Sequence, residues 1–152
     1  FLRLGREKVP VITTEKTPFE IGKANTLKDG KDITIIACGV MVYEALVAAK
    51  ELEKENISAR VINLHTIKPI DEKTIIKAAK ETKGIVTAEE HQIMGGMGSA
   101  VAEVVVKNKP APMRFIGMND RFGQSGKADE LMDFYGLRSK NIINAVYEIL
   151  GK

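Results

Sequence analysis

Short apolar runs and longer amphipathic stretches alternate regularly along the chain after residue 32. Residues 33–37 read Ile-Thr-Ile-Ile-Ala, a β-rich run that predicts a strand buried on both faces. Apolar side chains then recur at helical spacing over residues 41–55, which predicts an amphipathic helix. Further strands are predicted at residues 59–64, 85–88 and 113–118, and further helices at residues 71–82, 99–107, 128–135 and from 139 onwards.

The alternation of strand and helix predicts an α/β fold. Parallel strands joined by right-handed crossovers place helices on both faces of a sheet, so we expect a three-layer, open, mostly parallel architecture. The start of the chain lacks this regularity, because residues 13–22 are polar like a surface arm and residues 23–27 could add a short strand. We therefore divide the chain into an arm with an edge strand, residues 1–31, and an α/β domain, residues 32–152.

Local signals predict where several helices begin and end. Asp71, Ser125 and Ser139 are short polar residues that precede helical stretches, and we expect each to act as an N-cap. Gly84 and Gly136 follow helical stretches: we expect Gly84 to end its helix in the left-handed conformation, and Gly136 to lie at the C-terminal end of its helix.

Composition narrows the class of protein without identifying it. The chain has 152 residues, of which 44% are hydrophobic and 28% charged, as in a globular domain rather than a disordered or fibrous chain. The net charge is only +3 and Lys alternates with Glu along most of the chain, so we expect no nucleic-acid partner. The longest apolar run, residues 33–49, is broken by Gly39 and Glu44, so we expect no membrane span.

The single cysteine and the first residue bear on the compartment and on the extent of the chain. Cys38 has no internal disulfide partner, which fits a reducing compartment such as the cytoplasm. Phe1 stands where an initiator methionine would stand, so we expect the chain to be a piece of a longer one.

Glu89, Glu90 and His91 form the most polar group near the carboxyl ends of the predicted strands, where ligands gather in open α/β sheets. A carboxylate beside a histidine could act as a general acid/base pair or contribute metal ligands. Neighbours in an extended chain point to opposite faces, however, and His65 is the only other histidine in the sequence. We favour the alternative that these residues form a hydrogen-bonded loop that fastens the strand end to a neighbouring subunit or domain.

A glycine-rich stretch, Gly-Gly-Met-Gly-Ser at residues 95–99, precedes a predicted helix. Exposed backbone N–H groups at a helix start can bind an anion. The stretch lacks the spacing of a dinucleotide-binding fingerprint and the lysine of a phosphate-binding loop, so we favour tight packing of the helix start.

The remaining candidate residues each have two interpretations. Arg3 and Arg6 could together hold a phosphate, because the guanidinium fork suits phosphate oxygens, or both could simply be solvated. Cys38 has no adjacent base, which predicts a buried, unreactive thiol, and the six methionines are interpreted as core residues. The polar residues 120–126 either contact a ligand or partner or form a connection with an N-cap, and both alternatives stay open.

Several of these segments together resemble a known family. Residues 85–91, leading into residues 95–100, and the Thr-Ile-Lys-Pro-Ile-Asp of residues 66–71 resemble the C-terminal domain of transketolase-type, thiamine-diphosphate-dependent enzymes. Deoxyxylulose-phosphate synthase and the beta subunit of pyruvate dehydrogenase share these motifs. The Phe-Gly-Gln-Ser-Gly of residues 122–126 and the Tyr-Gly-Leu of residues 135–137 are most similar to transketolase.

The resemblance implies a fold and an activity. It implies a five-stranded sheet with one antiparallel strand, which residues 23–27 could supply. It also implies that the full enzyme is a transferase of the pentose phosphate pathway, a cytoplasmic homodimer that moves a two-carbon ketol unit between sugar phosphates. Thiamine diphosphate and a divalent metal such as Mg²⁺ are implied to lie in other domains or subunits, so we expect no cofactor, metal ligand or catalytic residue in this chain.

The resemblance also bears on particular residues. Residues 4–10 are similar to the end of the family's middle domain, where an arginine contacts the substrate phosphate, and Arg6 takes that position here. Glu89, Glu90 and His91 are kept as interface residues, and the chain alone is expected to be inactive. The alternatives are the C-terminal domain of a 2-oxo acid dehydrogenase beta subunit or of deoxyxylulose-phosphate synthase, and a stand-alone anion-binding protein that uses residues 95–99.

Overall fold

Five strands and five helices follow one another in a computed structural model that describes residues 1–5 and 8–152. The strands are β1 (Asn25–Lys28), β2 (Ile33–Ala37), β3 (Ala59–Asn63), β4 (Ile85–Gln92) and β5 (Met113–Met118). The helices are α1 (Met41–Lys54), α2 (Glu72–Glu81), α3 (Met97–Asn108), α4 (Ala128–Phe134) and α5 (Ser139–Leu150).

The strands form one sheet in the order β1-β3-β2-β4-β5. β1 pairs with β3 in the antiparallel sense, and all other neighbours are parallel. The α/β class and the five-stranded sheet with one antiparallel strand are therefore confirmed. The antiparallel strand covers residues 25–28, close to the predicted residues 23–27.

The helices cover both faces of the sheet and divide the core in two. Ile33 and Ile35 of β2 point into one apolar layer, which α1 and α5 cover. Ile36 of the same strand points into the other layer, which α2 and α3 cover. Every residue of β2 is buried, as the unbroken apolar pattern predicts for a central parallel strand. The three-layer architecture is thus also confirmed.

β4 is twice as long as predicted, and this changes the structural setting of Glu89, Glu90 and His91, which we call the acidic cluster. The sequence places the end of this strand at residue 88, but pairing with β5 resumes at Gln92, opposite Met118, after an irregularity that begins at Ala88. Glu89, Glu90 and His91 therefore lie in strand β4 and not in a loop.

Two of the three predicted N-caps are wrong. Asp71 caps α2 as predicted, because its Oδ1 accepts the Thr74 N–H at 3.1 Å. The residue before α4 is Lys127, so Ser125 does not cap that helix. Ser139 is the first residue of α5, and the side chain that accepts its N–H, at 2.7 Å, is Glu44 Oε2 of α1. The cap of α5 thus comes from a distant helix.

The two glycines predicted at helix ends differ in their roles. Gly136 follows the end of α4, as predicted, and its φ of 69° lies in the left-handed region. Gly84 has no positive φ, and α2 ends before it at Glu81, with Thr82 as the C-cap residue. A Cβ on Gly84 would lie 2.7 Å from Ile149 Cγ2 and 2.8 Å from Pro112 O. Close approach, not backbone conformation, explains this glycine.

Candidate functional site

The start of α3 meets the end of β4 through a buried carboxylate. The Glu89 side chain is 3% exposed, and its two oxygens accept the backbone N–H groups of Met97 at 2.6 Å and of Gly98 at 2.8 Å. These N–H groups belong to the first turn of a helix and have no partner within it. Negative charge is also favoured there by the helix dipole. Glu89 is therefore the internal anion of this helix start.

The glycines of residues 95–99 let this carboxylate approach the backbone. A Cβ on Gly98 would lie 2.6 Å from Thr87 Oγ1 and 2.7 Å from Phe115 Cδ1. A Cβ on Gly96 would overlap the Glu89 carboxylate itself. Tight packing, the interpretation favoured from the sequence, explains this stretch, and the anion position is already filled by a side chain of the same chain.

The acidic cluster is split between interior and surface. Glu89 faces the interior of the described chain, where its carboxylate is bound to α3. Glu90 and His91 are exposed. His91 Nδ1 donates to Gln92 O at 3.0 Å, and among the described residues no hydrogen bond joins the side chains of Glu89, Glu90 and His91. The interface role of Glu89, Glu90 and His91 stays a prediction.

Of the two arginines near the start of the chain, Arg3 is among the described residues. Arg6 lies outside the described residues. Arg3 is exposed, and its Nη2 donates to the Glu90 backbone oxygen at 3.1 Å, which brings the arm to the end of β4.

Cys38 follows β2 at the same end of the sheet. Burial, and secondly the negative charge of Glu89, raise the pKa of the Cys38 thiol to about 11. The thiolate is the nucleophilic form, so the side chain is unreactive near neutral pH. The raised pKa agrees with the predicted unreactive thiol, but Cys38 is half-buried and not fully buried as predicted.

The methionines do not all belong to the core. Met41 and Met97 are buried, but Met94 is 72% exposed, so its interpretation as a core residue is wrong. Met94 lies between β4 and the glycine-rich stretch, where the chain turns at the surface and no element covers it.

The exposed loop after β5 is fixed by two side chains whose roles the sequence does not predict. Gln92 Nε2 donates to Arg121 O at 3.0 Å, and its Oε1 accepts the Asp120 N–H at 2.8 Å. Tyr135 Oη donates to Phe122 O at 3.1 Å. The loop backbone is thereby held while Phe122 stays 98% exposed. A glutamine at a strand end carries no sequence signal for this role.

A second arrangement without a sequence signal joins α1, α4 and α5. Arg138 Nη2 donates to Asp129 Oδ1 at 3.0 Å, and its Nη1 donates to Glu44 Oε1 at 3.4 Å. The hydrogen bond to Asp129, with those to Asp133 and Glu44, raises the pKa of Arg138 despite an opposing effect of burial. The cluster is structural, because Glu44 also caps α5.

Neither a metal cluster nor a membrane-spanning helix occurs in the described part of the chain. Within residues 1–5 and 8–152, no three His, Cys, Asp or Glu side chains come together as metal ligands. No helix in those same residues is long and apolar enough to span a bilayer.

Comparison with known proteins decides the family. A family model described as transketolase, C-terminal domain, matches residues 22–142. The chain belongs to the transketolase C-terminal domain family. The resemblance inferred from its motifs is thereby confirmed.

The transketolase domain is similar to subunits of several enzymes. It is 44% identical over 149 residues to the 6-deoxy-6-sulfo-D-fructose transketolase subunit SqwH of Clostridium sp. (strain MSTE9), covering 98% of this chain and 46% of that protein. It is 42% identical over 153 residues to an apulose-4-phosphate transketolase subunit of Phocaeicola vulgatus, covering 100% of this chain and 49% of that protein.

A solved structure agrees with the fold. A protein described as split gene transketolase, inactive beta4 tetramer, superposes with a TM-score of 0.94 at 45% identity, covering 98% of this chain and 49% of that one. The chain thus spans about half the length of these relatives.

Transketolases use thiamine diphosphate, and the glycine-rich start of α3 does not fit the diphosphate of that cofactor. The helix start that the sequence offers as an anion site, that of α3, already binds the Glu89 carboxylate. A diphosphate there would have to displace a buried charged side chain that Gly96 and Gly98 are packed against. In this family the cofactor is carried by other domains of the full enzyme, and the filled helix start agrees with that.

Proposed function

We propose that this transketolase domain works within a transferase that moves a two-carbon ketol unit between sugar phosphates. The observation that carries the proposal is the similarity of the whole chain, at 42% and 44% identity, to subunits named for transketolase reactions. Those relatives are named for a sulfonated fructose and for apulose 4-phosphate. The substrate proposed here is accordingly the class of phosphorylated or similarly anionic ketoses.

The role proposed for this chain is structural, and it forms no product alone. The carboxylate best placed for proton transfer at the strand ends, Glu89, is committed to two backbone N–H groups. The thiol at the same end, Cys38, is protonated near neutral pH because its pKa is raised to about 11. Chemistry therefore falls to the complementary domains or subunits, which would hold thiamine diphosphate and a divalent metal such as Mg²⁺.

The proposal extends to assembly and location. The full enzyme is a homodimer that includes the complementary domains, and it works in the cytoplasm in the pentose phosphate pathway. The lone cysteine, which lacks a disulfide partner, supports a reducing compartment. Glu90 and His91 are proposed to face the complementary part, since both are exposed beside the arm that reaches β4 through Arg3.

The activity test compares the chain alone with the chain mixed with the complementary half of the enzyme. Each sample receives thiamine diphosphate, Mg²⁺, a ketose phosphate donor and an aldose phosphate acceptor, with 6-deoxy-6-sulfofructose as a second donor. We expect ketol transfer only in the mixture and no heat of cofactor binding for the chain alone. Transfer by the isolated chain, or tight binding of thiamine diphosphate to it, would overturn the proposal.

Arg6 is proposed to bind the substrate phosphate. In the reconstituted enzyme, Arg6→Ala should raise KM for the phosphorylated donor by about tenfold or more, because a charge-assisted hydrogen bond is lost. Arg3→Ala is the matched control: it removes a guanidinium three residues away that binds a backbone oxygen of this chain. Equal KM values for the two variants would contradict the assignment.

A further inference from the structure

The loop between β5 and α4 presents an aromatic side chain that nothing in the described part of the chain covers. Every residue from 119 to 130 is exposed, and the Phe122 side chain is 98% exposed. We call residues 119–127 the Phe122 loop. Single exposed apolar side chains are common on protein surfaces, so exposure alone says little. What distinguishes Phe122 is the way in which its backbone is held.

Two half-buried side chains fix the backbone of the Phe122 loop. Gln92 of β4 binds it twice, because its Oε1 accepts the Asp120 N–H at 2.8 Å and its Nε2 donates to Arg121 O at 3.0 Å. Tyr135, which follows α4, donates from its Oη to Phe122 O at 3.1 Å. The bonded groups belong to three consecutive residues, so the backbone is fixed at the point where the Phe122 side chain leaves it.

The backbone of Asp120 shows that this loop is held in a conformation that a chain seldom adopts unaided. Its φ of 45° lies in the left-handed region, which costs free energy for a residue with a Cβ. The hydrogen bond from the Asp120 N–H to Gln92 stabilises the turn. Because the turn leaves Phe122 in solvent, it does not serve the core of the described chain. Strain that is maintained at a surface position is typical of a functional site.

The Phe122 loop lies at the strand ends, where Glu90 and His91 are proposed to face the complementary half of the enzyme. Gln92 ends β4 and directly follows His91, and the arm reaches the same strand through the bond from Arg3 Nη2 to Glu90 O. The surface of the exposed residues Glu90 and His91 therefore continues into the loop. The relatives are about twice as long as this chain, so they contain a further half of comparable size that this surface can meet.

We propose that Phe122 is the anchor by which this domain binds the complementary half, with its ring inserted into an apolar recess of that half. Aromatic and arginine side chains dominate the binding energy of protein interfaces, and Arg121 stands beside Phe122. A recess with a carboxylate at its rim matches both side chains. A second copy of this chain is disfavoured as the occupant, because a two-fold axis at Phe122 would bring the Arg121 side chains of both copies together.

The hydrogen bonds from Gln92 and Tyr135 make the anchor ready for binding. A loop that is already ordered loses less conformational entropy when it enters an interface. Gln92 is therefore a positioning residue that acts through Phe122 and need not touch the complementary half itself.

The anchor rests on the proposed function in one respect, because a complementary half must exist and bind this chain. Its test measures binding and not ketol transfer, so the two proposals can fail separately. A wild-type mixture that binds but transfers no ketol unit would refute only the reaction. A wild-type mixture that transfers the unit, with a Kd that Phe122→Ala does not change, would refute only the anchor.

The first experiment titrates the full chain with the complementary half, produced as a separate chain, in a calorimeter. We expect Phe122→Ala to raise the Kd by about tenfold or more, as truncation of an interface anchor does. Gln92→Ala should raise it by about threefold or more, because the loop must then be ordered on binding. Gln124→Ala is the matched control: it truncates an exposed polar side chain of the same loop and should change the Kd by less than about twofold.

A second experiment follows the anchor position directly. The chain contains no tryptophan, so Phe122→Trp introduces a single fluorescent reporter. With the wild-type mixture as the blank, its emission should shift to shorter wavelength when the complementary half is added, and a soluble quencher should lose access to it. In the free chain, adding Gln92→Ala to this variant should lower the fluorescence anisotropy, because the loop is released.

The outcomes are distinct from a loss of folding. Phe122→Ala should leave the circular dichroism and the thermal unfolding of the chain unchanged, because the side chain is exposed. A wild-type chain that does not bind the complementary half, an alanine variant with the wild-type Kd, or a tryptophan that stays open to the quencher in the complex would each overturn the proposal.

Discussion

Replacing Glu89 with glutamine tests the buried carboxylate that begins α3. The amide keeps the volume of the side chain but has one acceptor oxygen, so one of the two N–H groups of Met97 and Gly98 would face an NH₂ group. Leaving a buried donor unpaired costs about 1–3 kcal/mol. We expect Glu89→Gln to lower the free energy of unfolding by that amount in urea denaturation at neutral pH.

The neighbouring Glu90 supplies the control. Its side chain is exposed, and the contact that it makes with Arg3 uses the backbone oxygen. Glu90→Gln should therefore change the free energy of unfolding by less than about 0.5 kcal/mol. Equal losses for the two variants would show that Glu89 is not the cap described here.

Asp71 gives the chain a stability that depends on pH. Burial acts to raise its pKa, but hydrogen bonds from the backbone N–H of Ala24 and from the N–H and hydroxyl of Thr74 outweigh it and hold the pKa of Asp71 below its ordinary value. An unfolded aspartate titrates near pH 3.9. Because the folded pKa is the lower one, the contribution is complete above about pH 4 and is lost as the pH falls through the folded pKa.

The effect of Asp71→Ala should follow the same window. We expect the variant to lose about 1–2 kcal/mol of unfolding free energy near pH 7, the usual contribution of an N-cap. The difference from wild type should shrink below about pH 4, where the carboxylate becomes protonated. Urea denaturation of both proteins across the acidic range measures this, and a difference that is constant with pH would contradict it.

At this scale, the sequence predicts a residue's role when its partners are near in the chain. Asp71 can be recognised because an N-cap binds an N–H three residues later. Glu89 binds N–H groups eight and nine residues away, and Glu44 binds one 95 residues away. Only the folded chain brings those groups together, so in the sequence both resemble ordinary acidic residues.

At the scale of elements, Gly98 tests how closely α3 packs on the sheet. Gly98→Ala would place a Cβ 2.6 Å from Thr87 Oγ1 and 2.7 Å from Phe115 Cδ1. Either α3 or the side chains of the sheet that face it must then shift, and overpacking of this kind costs about 1–3 kcal/mol. We expect a corresponding loss in unfolding free energy and a lower melting temperature.

Gly123→Ala is the matched control in the exposed loop after β5. A Cβ there meets nothing within 4 Å, and the residue has no positive φ. Alanine should be neutral or slightly stabilising at such a position, because it restricts the unfolded chain. If both glycine variants lost the same stability, close packing of α3 could not be the cause.

The order and type of the elements could be predicted because each has a strong internal period. β2 and β5 lie where the apolar runs place them, at Ile33–Ala37 and Met113–Met118. β4 continues past its apolar part because Gln92 pairs with Met118 of β5 after the irregularity that begins at Ala88. Burial leaves a hydrophobic pattern in the sequence of a strand, but pairing with a neighbouring strand does not. The hydrophobic pattern therefore ends the strand early and assigns the acidic cluster to a loop.

At the scale of the whole molecule, the topology follows from the alternation of strand and helix, but the surfaces do not. The exposed surface between α3 and β5 combines residues of one helix with Phe115 of an edge strand. A sequence shows that Glu103 and Lys107 share a helix face, yet it does not show that β5 ends the sheet beside them. Which charges stay unpaired is decided only when all elements are in place.

The division of the chain into an arm and a domain can be tested by truncation. Of the described residues before 22, most are exposed, although the Phe19 ring lies 4.7 Å from that of His65. β1, by contrast, pairs with β3, and the Ala24 N–H binds Asp71 at 2.9 Å. A chain that starts at residue 22 should therefore keep cooperative thermal unfolding, with a melting temperature within about 5 °C of the full chain.

A chain that starts at residue 32 should be clearly less stable, because it exposes the edge of β3 and removes a hydrogen bond from the Asp71 cap. We expect a further loss of about 2 kcal/mol or more in unfolding free energy, since several strand hydrogen bonds and cross-strand contacts disappear together. Circular dichroism of both truncated chains measures the difference. If the two truncated chains were equally stable, β1 would belong to the arm and not to the domain. If the chain that starts at residue 22 failed to fold, the arm itself would belong to the folding unit.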